Sequence, residues 1–422
     1  MSNNSRQYFR EDSFFDVPKE GDIIALKFIC NDFSKYGANL SAENYSTDGS
    51  RFIRTSDIDE DGKLSVDGVY IDEDLALEYK LKKGDFLLSR SGTLGRGYLY
   101  NELDGNCSYA GYLIKYSLNE LIVNPKFIFY CTKTSQFNGW LNYSVIEATI
   151  GNINGEKYAN LPLPIPTLEQ QNKIVNYLDR EIAKIDALIE KKTKLIALLE
   201  EKKKAVINQA VTKGLDTTVA MKDSGIEWLG EIPEHWEVVK LKYLVNKIDE
   251  LNYADVEHKI AVENIIGFSG KLTNLESFNY EGITTKFKKN DIIFNKLRPY
   301  LGKVYLAKEE GGVYGELLVL RPNEKLVSKF LFYVMISTNF IDLVNSSTTG
   351  AKMPRASWED FIKHIDIPLI SIDEQQNITD FLEIMLTKNE ELSNRLLSSI
   401  ELLKEKRTTI ISAAINGKIN LD

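Results

Sequence analysis

The chain has 422 residues, of which 43% are hydrophobic, so it can bury the cores of two or three domains, which excludes an intrinsically disordered protein. Its formal net charge of −9 excludes binding to a polyanion through a uniformly basic surface. Only residues 161–222 carry more basic than acidic side chains, so any contact with a nucleic acid must come from local clusters.

The cysteines and the hydropathy pattern indicate a cytoplasmic protein. Cys30, Cys107 and Cys131 form no CxxC pair and no Cys/His cluster, which indicates three reduced thiols and no zinc site. The start of the chain has no apolar signal core, and no apolar run approaches the roughly eighteen residues of a membrane span. We therefore expect neither export nor membrane insertion.

The first part of the chain mixes β-rich stretches at 23–29, 86–89 and 111–116 with a helix-like run at 125–137, which predicts an α+β globule. Two of its loops combine glycine with side chains that hydrogen-bond phosphates or base edges. Ordinary glycine turns with solvated charges are the alternative. The candidate DNA-binding residues of these loops are Arg90, Ser91, Gly92, Thr93, Arg96, Thr149, Asn152 and Asn154.

A long helix is predicted after the prolines at 162, 164 and 166, because these residues exclude helix upstream. Thr167 followed by Gln170 resembles a capping box, and Gly214 supplies the stop. A helix of about 45 residues at about 1.5 Å per residue is on the order of 65 Å long. That length is comparable to about two turns of B-DNA, so the helix could act as a ruler.

A second globule follows, with β-rich stretches at 238–245, 292–295 and 317–320 and a helix-like run at 328–344. Its loops align with those of the first globule but differ in sequence, so the two sets could read two different sequences. The candidate DNA-binding residues of the second set are Lys296, Arg298, Tyr300, Lys303, Thr348, Thr349, Lys352 and Arg355.

A second long helix ends the chain, and in both helices apolar residues recur at the spacings of three and four that a heptad seam requires. Polar residues interrupt each apolar seam, and they lie mostly at different heptad layers in the two helices. We therefore predict that the helices complete each other as one antiparallel intramolecular coiled coil; the alternative is two amphipathic helices, each packed on its own globule. The predicted seam residues are Ile174, Leu178, Ile185, Leu188, Leu195, Leu199, Val206, Ile378, Leu382, Leu392, Leu396, Leu403 and Ile410.

The chain is an internal duplication, because residues 169–172 and 374–377 both read EQQN and each tetrapeptide opens one of the long helices. The order of globule, helix, globule and helix predicts a monomer with pseudo-twofold symmetry. Such a protein suits a target with two parts. The predicted segments are a first globule at 1–166, a first helix at 167–215, a second globule at 216–370 and a second helix at 371–422.

Motifs for catalysis are missing, so we expect a chain with no catalytic residues and no metal of its own. The glycine-rich stretch at 92–97 lacks the spacing of a nucleotide-binding P-loop. No glycine motif for S-adenosylmethionine precedes an Asn/Asp-Pro-Pro-aromatic tetrapeptide, and the three histidines are distant in sequence. An autonomous nuclease or methyltransferase, and a coiled-coil scaffold with no DNA role, are the rival classes.

The proline-rich stretch 161–166, the run 200–214 and the block 221–236 resemble the specificity subunits of type I restriction-modification enzymes. The resemblance covers essentially the whole chain. It implies an α+β fold in which two target recognition domains form a pseudo-twofold repeat separated by the coiled coil. Each domain would read one half of an asymmetric bipartite DNA site, and the chain would direct methylation and restriction by partner subunits without being catalytic.

The same resemblance implies the partners. They are double-stranded DNA, two modification (methyltransferase) subunits and two restriction (motor-nuclease) subunits. S-adenosylmethionine, ATP and Mg are expected in the partner subunits, with no cofactor in this chain. A modification-only complex or a related DNA-defence complex is the alternative.

Overall fold

The protein folds as two units, each with one mixed α/β globule and part of each of two long helices, α5 (Leu168–Lys213) and α8 (Ile372–Ile415). One unit consists of Met1–Lys191 and Ser398–Asp422, and the other of Lys192–Leu397. We call them unit 1 and unit 2. The computed structural model describes residues 14–16, 20–146, 152–252, 258–273, 282–350 and 352–421.

The globule of unit 1 contains two four-stranded sheets and one two-stranded sheet. Their strand orders are β2-β9-β6-β7, β3-β5-β4-β8 and β1-β10, and all neighbours are antiparallel except β4 and β8. The strands and helices are β1 (Gly21–Ala25), β2 (Lys35–Tyr36), β3 (Tyr45–Ser46), β4 (Ser50–Ile53), β5 (Val69–Ile71), α1 (Glu73–Ala76), β6 (Asp85–Ser89), β7 (Gly97–Leu99), β8 (Cys107–Tyr109), β9 (Leu113–Ser117), α2 (Pro125–Cys131), α3 (Ser135–Ile146), α4 (Gly155–Ala159) and β10 (Pro162–Pro166).

The globule of unit 2 repeats this architecture with the sheets β14-β23-β20-β21 and β15-β19-β22-β16 and the pair β13-β24, and it adds the pairs β11-β12 and β17-β18. The predicted duplication and the α+β class are therefore confirmed. The strands and helices are β11 (Met221–Asp223), β12 (Glu231–Pro233), β13 (Glu237–Lys240), β14 (Val245–Ile248), β15 (Leu251–Asn252), β16 (Lys259–Ile260), β17 (Ile265–Ile266), β18 (Lys271–Leu272), β19 (Thr284–Phe287), β20 (Ile292–Asn295), β21 (Val304–Leu306), β22 (Gly311–Val313), β23 (Leu317–Pro322), α6 (Ser328–Ile336), α7 (Thr338–Ser346) and β24 (Asp366–Leu369).

The repeated EQQN motif marks a buried glutamine at the start of each long helix. In unit 1 the Gln171 side chain is fully buried, and its Oε1 accepts a hydrogen bond from the Asn124 backbone N at 2.8 Å. Its Nε2 donates to the carbonyls of Pro166 at 2.9 Å and Ile122 at 3.2 Å. One amide thus joins the strand before α5 to the turn before α2.

Gln375 makes the same three contacts in unit 2. It is also fully buried, and its Oε1 accepts from the Val327 backbone N at 2.7 Å. Its Nε2 donates to the carbonyls of Ile370 at 2.9 Å and Lys325 at 3.0 Å. Buried polar groups are costly to leave unpaired, and this glutamine pairs three of them in each unit. The EQQN motif is therefore repeated for a structural reason.

The start and the end of α5 match the sequence prediction. The Gln170 backbone N donates to Thr167 Oγ1 at 3.3 Å, which satisfies one of the free amides of the first turn. Gly214 follows the helix with a φ of +75°, a left-handed conformation that glycine adopts without steric cost. The helix has 46 residues, close to the predicted length. No helix in the described ranges is long and apolar enough to cross a membrane.

The two long helices run antiparallel within unit 1. Ile174 and Leu178 of α5 share a buried cluster with Ile411 and Ala414 near the end of α8. Further along α5, Asp186 Oδ1 lies 3.0 Å from the guanidinium of the earlier α8 residue Arg407. Arg407 also pairs with Asp61 of the globule. Later residues of α5 therefore contact earlier residues of α8, as in an antiparallel pair.

The helices are also antiparallel within unit 2. The Asn389 side-chain amide donates to the Leu199 carbonyl at 3.0 Å, while Ala210, later in α5, shares a buried cluster with the earlier α8 residues Ile378 and Leu382. The predicted antiparallel pairing is confirmed, and the alternative of two separate helices is not supported. Most predicted seam residues are buried or half-buried: Ile174, Leu178, Ile185, Leu199, Val206, Ile378, Leu382, Leu396, Leu403 and Ile410.

Three predicted seam residues are corrected by the structure. Leu188, Leu195 and Leu392 are 47%, 41% and 43% exposed. An alternation of four and three residues from Ile185 reaches positions 189, 192, 196 and 199, so Leu188 and Leu195 each lie one position before this phase. Half-buried side chains occupy the in-phase positions instead: Ile189, Lys192, Ile196 and, beside Leu392, Ser393.

All three cysteines are free thiols in the structure. Burial raises the pKa of the Cys107 thiol to about 11 and that of the Cys30 thiol to about 12. Burial also raises the pKa of Cys131. Because the thiolate is the reactive form, these cysteines are poor nucleophiles near neutral pH.

Candidate nucleic-acid interface

In unit 1 the structure brings together the two loops that the sequence singled out. Arg90 directly follows β6, and its carbonyl accepts a hydrogen bond from the Ile153 backbone N at 3.0 Å. The Arg90 Nε donates to Asn152 Oδ1 at 3.3 Å, and the guanidinium carbon lies 4.8 Å from the centre of the Tyr36 ring. Tyr36 is 43% exposed. Arginine, amide and aromatic side chains therefore meet at one place that solvent can reach.

The tip of the first loop is open. Gly92 has a φ of +73°, a left-handed conformation that favours glycine. A Cβ built on it would meet nothing within 4 Å, so the backbone conformation, and not a lack of room, is the reason for glycine at this position. Gly92 and Thr93 are exposed, and Ser91 is half-buried. Asn154, also exposed, caps α4 by accepting from the Lys157 backbone N at 2.8 Å. Thr149 lies outside the described residues.

Unit 2 joins its corresponding loops in the same way. The Lys296 carbonyl accepts from the Ala356 backbone N at 3.0 Å, which matches the contact between Arg90 and Ile153 in unit 1. Arg298 is exposed, has a left-handed φ of +50°, and donates its backbone N to the Pro354 carbonyl at 2.7 Å. A non-glycine residue in this conformation is uncommon, and the surrounding contacts hold it there.

Basic side chains crowd these joined loops in unit 2. One Arg298 guanidinium nitrogen lies 3.4 Å from the Lys352 carbonyl, and both residues are exposed. The Arg355 side chain is 54% exposed. Thr349 is exposed and pairs with Arg355 through two backbone hydrogen bonds of 3.1 Å. Tyr300 is 48% exposed in the short 3-10 turn that follows Arg298.

A cavity of about 410 Å³ adjoins the loops of unit 2. Its lining includes Lys247, Lys296 and Arg355 together with Thr285 and Trp358. The basic side chains among them attract phosphate oxygens, whereas Asp249 and Glu359 of the same lining repel them. Among the described residues, no group of three or more His, Cys, Asp or Glu side chains could hold a metal ion.

Two predicted DNA contacts turn out to be anchors of their own loops. An Arg96 guanidinium nitrogen donates to the Ile58 carbonyl at 2.6 Å and lies 3.4 Å from the Thr55 carbonyl. Lys303 Nζ donates to the Val262 carbonyl at 2.8 Å. Both side chains are half-buried. In this structure the protein backbone therefore fixes the position of each side chain, and their role in DNA binding stays a prediction.

The two anchors occupy equivalent places in the repeat. The Arg96 carbonyl accepts from the Ser89 backbone N at 3.0 Å, and the Lys303 carbonyl accepts from the Asn295 backbone N at 3.1 Å. Each residue is therefore bonded to a strand end through its carbonyl and to a 3-10 turn through its charged group. Thr348 is similarly engaged, because its Oγ1 donates to the Asn345 carbonyl at 2.8 Å.

Sequence reasoning missed Glu316, an acidic residue among these basic side chains. Its Oε1 lies 2.5 Å from an Arg355 guanidinium nitrogen, and its Oε2 lies 3.6 Å from Lys296 Nζ. Glu316 directly precedes β23, as Tyr112 precedes β9 in unit 1. Aligning the two repeats would have placed Glu316 opposite Tyr112, but this pair forms no recognisable chemical motif.

Comparisons with known proteins identify the family to which the chain belongs. The model of the type I restriction modification DNA specificity domain matches residues 7–198 and 233–402. The chain is 26% identical over 328 residues to the type I restriction enzyme MjaVIII specificity subunit of Methanocaldococcus jannaschii, and the match covers 73% of each protein.

Two solved structures share the fold. One is a chain from work on complex assembly and conformational transition of the type I R-M system, with a TM-score of 0.65, 17% identity and coverage of 96% of this chain and 100% of that chain. The other is the HsdS subunit from Thermoanaerobacter tengcongensis, with a TM-score of 0.53, 14% identity and coverage of 96% and 98%. The chain belongs to the type I restriction-modification DNA specificity family and is a sequence-specific DNA-recognition subunit.

Proposed function

We propose that this chain recognises an asymmetric bipartite DNA site, one half with the joined loops of unit 1 and the other half with those of unit 2. The observation that carries the proposal is that both units join the same two loops by the same backbone contacts but equip them with different side chains. In unit 1 the half-buried Arg90 and Asn152 lie beside the exposed Tyr36. In unit 2 the half-buried Lys296 lies with the exposed Arg298 and Arg355.

These side chains fit the two tasks of a DNA reader. Contacts to phosphates fix the register of a protein on the duplex, and contacts to base edges carry the sequence information. Arginine and lysine match the O6 and N7 acceptors of guanine in the major groove, and asparagine matches adenine. The different side chains of the two units therefore favour different half-sites, which makes the whole target asymmetric.

The proposal includes partner subunits that perform the chemistry. Two modification subunits would supply methyl transfer with S-adenosylmethionine, and two restriction subunits would use ATP and Mg. This chain would bind DNA and hold the partners at the site, and its own residues would take no part in bond making. The membership of the family and the different loops of the two units support this division of labour. A modification-only complex would use the chain in the same way.

Replacing Arg298 with alanine tests the division of the site. A good bidentate contact to a base is worth about 1–3 kcal/mol of discrimination, so the variant is expected to lose roughly tenfold or more selectivity at one position. The loss should be confined to the half-site read by unit 2. Mapping of methylated sites in cells that carry the variant with its modification partner measures it.

Lys325→Ala is the matched control, because Lys325 is exposed and lies beyond the far end of β23. It removes the same charge and should leave both half-sites unchanged. An equal loss of selectivity at both half-sites in the Arg298 variant would contradict the proposal.

A further inference from the structure

The residue directly before β9 in unit 1 occupies the same backbone position as the residue directly before β23 in unit 2. The Tyr112 carbonyl accepts from the Arg90 backbone N at 2.9 Å, and the Glu316 carbonyl accepts from the Lys296 backbone N at 3.2 Å. Tyr112 is 64% exposed beside the first pair of loops. The same position beside each pair of loops thus holds an aromatic side chain in unit 1 and a carboxylate in unit 2.

The carboxylate of Glu316 is held by two cations that are themselves candidate DNA contacts. Arg355 contacts one oxygen at 2.5 Å, and Lys296 lies 3.6 Å from the other. The second oxygen, Oε2, is buried and accepts no hydrogen bond from any described residue. Glu316 therefore retains an unused acceptor at the place where the two loops meet.

We propose that Glu316 is a specificity-determining residue of unit 2, which accepts a hydrogen bond from the exocyclic amino group of a cytosine or an adenine. This inference rests on the proposed function. In the major groove cytosine N4 and adenine N6 are donors, whereas guanine O6 and thymine O4 are acceptors. A carboxylate only accepts, so it pairs with the first two bases and is repelled by the last two.

The ion pairs couple this base contact to the phosphate contacts. DNA phosphates compete with Glu316 for Lys296 and Arg355, whose side chains are 31% and 54% exposed and can turn outward. Once the cations turn to the phosphates, the carboxylate loses both partners. A base with an amino group replaces them, whereas a base with a carbonyl leaves a desolvated carboxylate unpaired. Glu316 thereby penalises a half-site that carries a carbonyl at this position.

Glu316→Gln tests the inference, because an amide has nearly the same shape and both donates and accepts. The probes are duplexes with each base pair of the second half-site replaced in turn, bound by the full chain in complex with its modification partner. The wild-type complex should prefer cytosine or adenine at one position by roughly tenfold, and the variant should reduce that preference to about threefold or less. Its affinity for non-cognate duplexes should rise, because a negative charge near phosphates is removed.

Glu324→Gln is the matched control, since Glu324 is exposed beyond the far end of β23 and should change neither quantity. Thermal unfolding of both variants shows whether the fold is retained. An equal change at all positions of the half-site would mean that Glu316 only positions Lys296 and Arg355, and would overturn the inference. No change at any position would overturn it as well.

Failure of this inference and failure of the proposed function give different results. If Arg298→Ala relaxes the second half-site and Glu316→Gln does not, only the role of Glu316 is wrong. If the wild-type complex shows no second half-site at all, the proposed function itself fails.

Discussion

A matched insertion of seven residues in both long helices is expected to lengthen the gap between the two half-sites by about three base pairs. The insertions belong after Leu195 in α5 and after Leu392 in α8, where antiparallel pairing places them at the same level, as the Asn389 contact to Leu199 shows. Seven residues preserve the heptad phase and add about 10 Å. At 3.4 Å per base pair this corresponds to about three base pairs.

Mapping of methylated sites in cells with the lengthened chain and its partner measures the gap. We expect both half-site sequences to be retained, because the loops of each unit are untouched, and the original spacing to be lost. Insertion in α5 alone is the control. It should abolish methylation, since it shifts one seam against the other. An unchanged gap in the matched variant would refute the idea that the helices set the spacing.

Replacing Gln375 with alanine is expected to destabilise unit 2 by about 3 kcal/mol. The change leaves the Val327 backbone N–H and the carbonyls of Ile370 and Lys325 without their partner in a buried place. Each unsatisfied buried group costs about 1–3 kcal/mol, and some of that cost is recovered by relaxation or by water. Hydrogen exchange of the Val327 amide should accelerate strongly.

Gln376→Ala is the control, because Gln376 is exposed on α8 and its side chain bonds to Asp380 and Thr379 on the same helix. Its effect should stay within about 0.5 kcal/mol, the usual range for a surface change. Gln171→Ala should reproduce the large effect in unit 1. Equal stability of the Gln375 and Gln376 variants would contradict the structural account of the repeated motif.

The sequence was sufficient for the large features of the fold because they repeat or have a period. The EQQN motif, the prolines before α5 and Gly214 placed the first long helix correctly. The seam phase was wrong at three positions, because leucine is as apolar as isoleucine and three exposed leucines lie next to the true positions. The seam depends on the partner helix, which places Lys192 and Ser393 in phase although neither is apolar.

The candidate site was predicted at the level of loops and not at that of side chains. Glycine and polar composition identified the loops at 90–96 and 296–303, and the structure joins each to its second loop. The sequence did not reveal that Arg96 and Lys303 are bonded to backbone carbonyls, because those carbonyls lie on 3-10 turns about forty residues away. Glu316 was missed because its role depends on Arg355 and Lys296, two side chains that are distant from it in sequence.

We propose that this chain alone chooses the DNA sequence for its partners, through two separate half-sites. Mapping of methylated sites by long-read sequencing, in cells with the chain and its modification partner against cells lacking only this chain, tests it most directly. We predict a gapped, asymmetric methylated motif that disappears when the chain is absent. A methylated motif that persists without the chain while the partner is active would contradict the account.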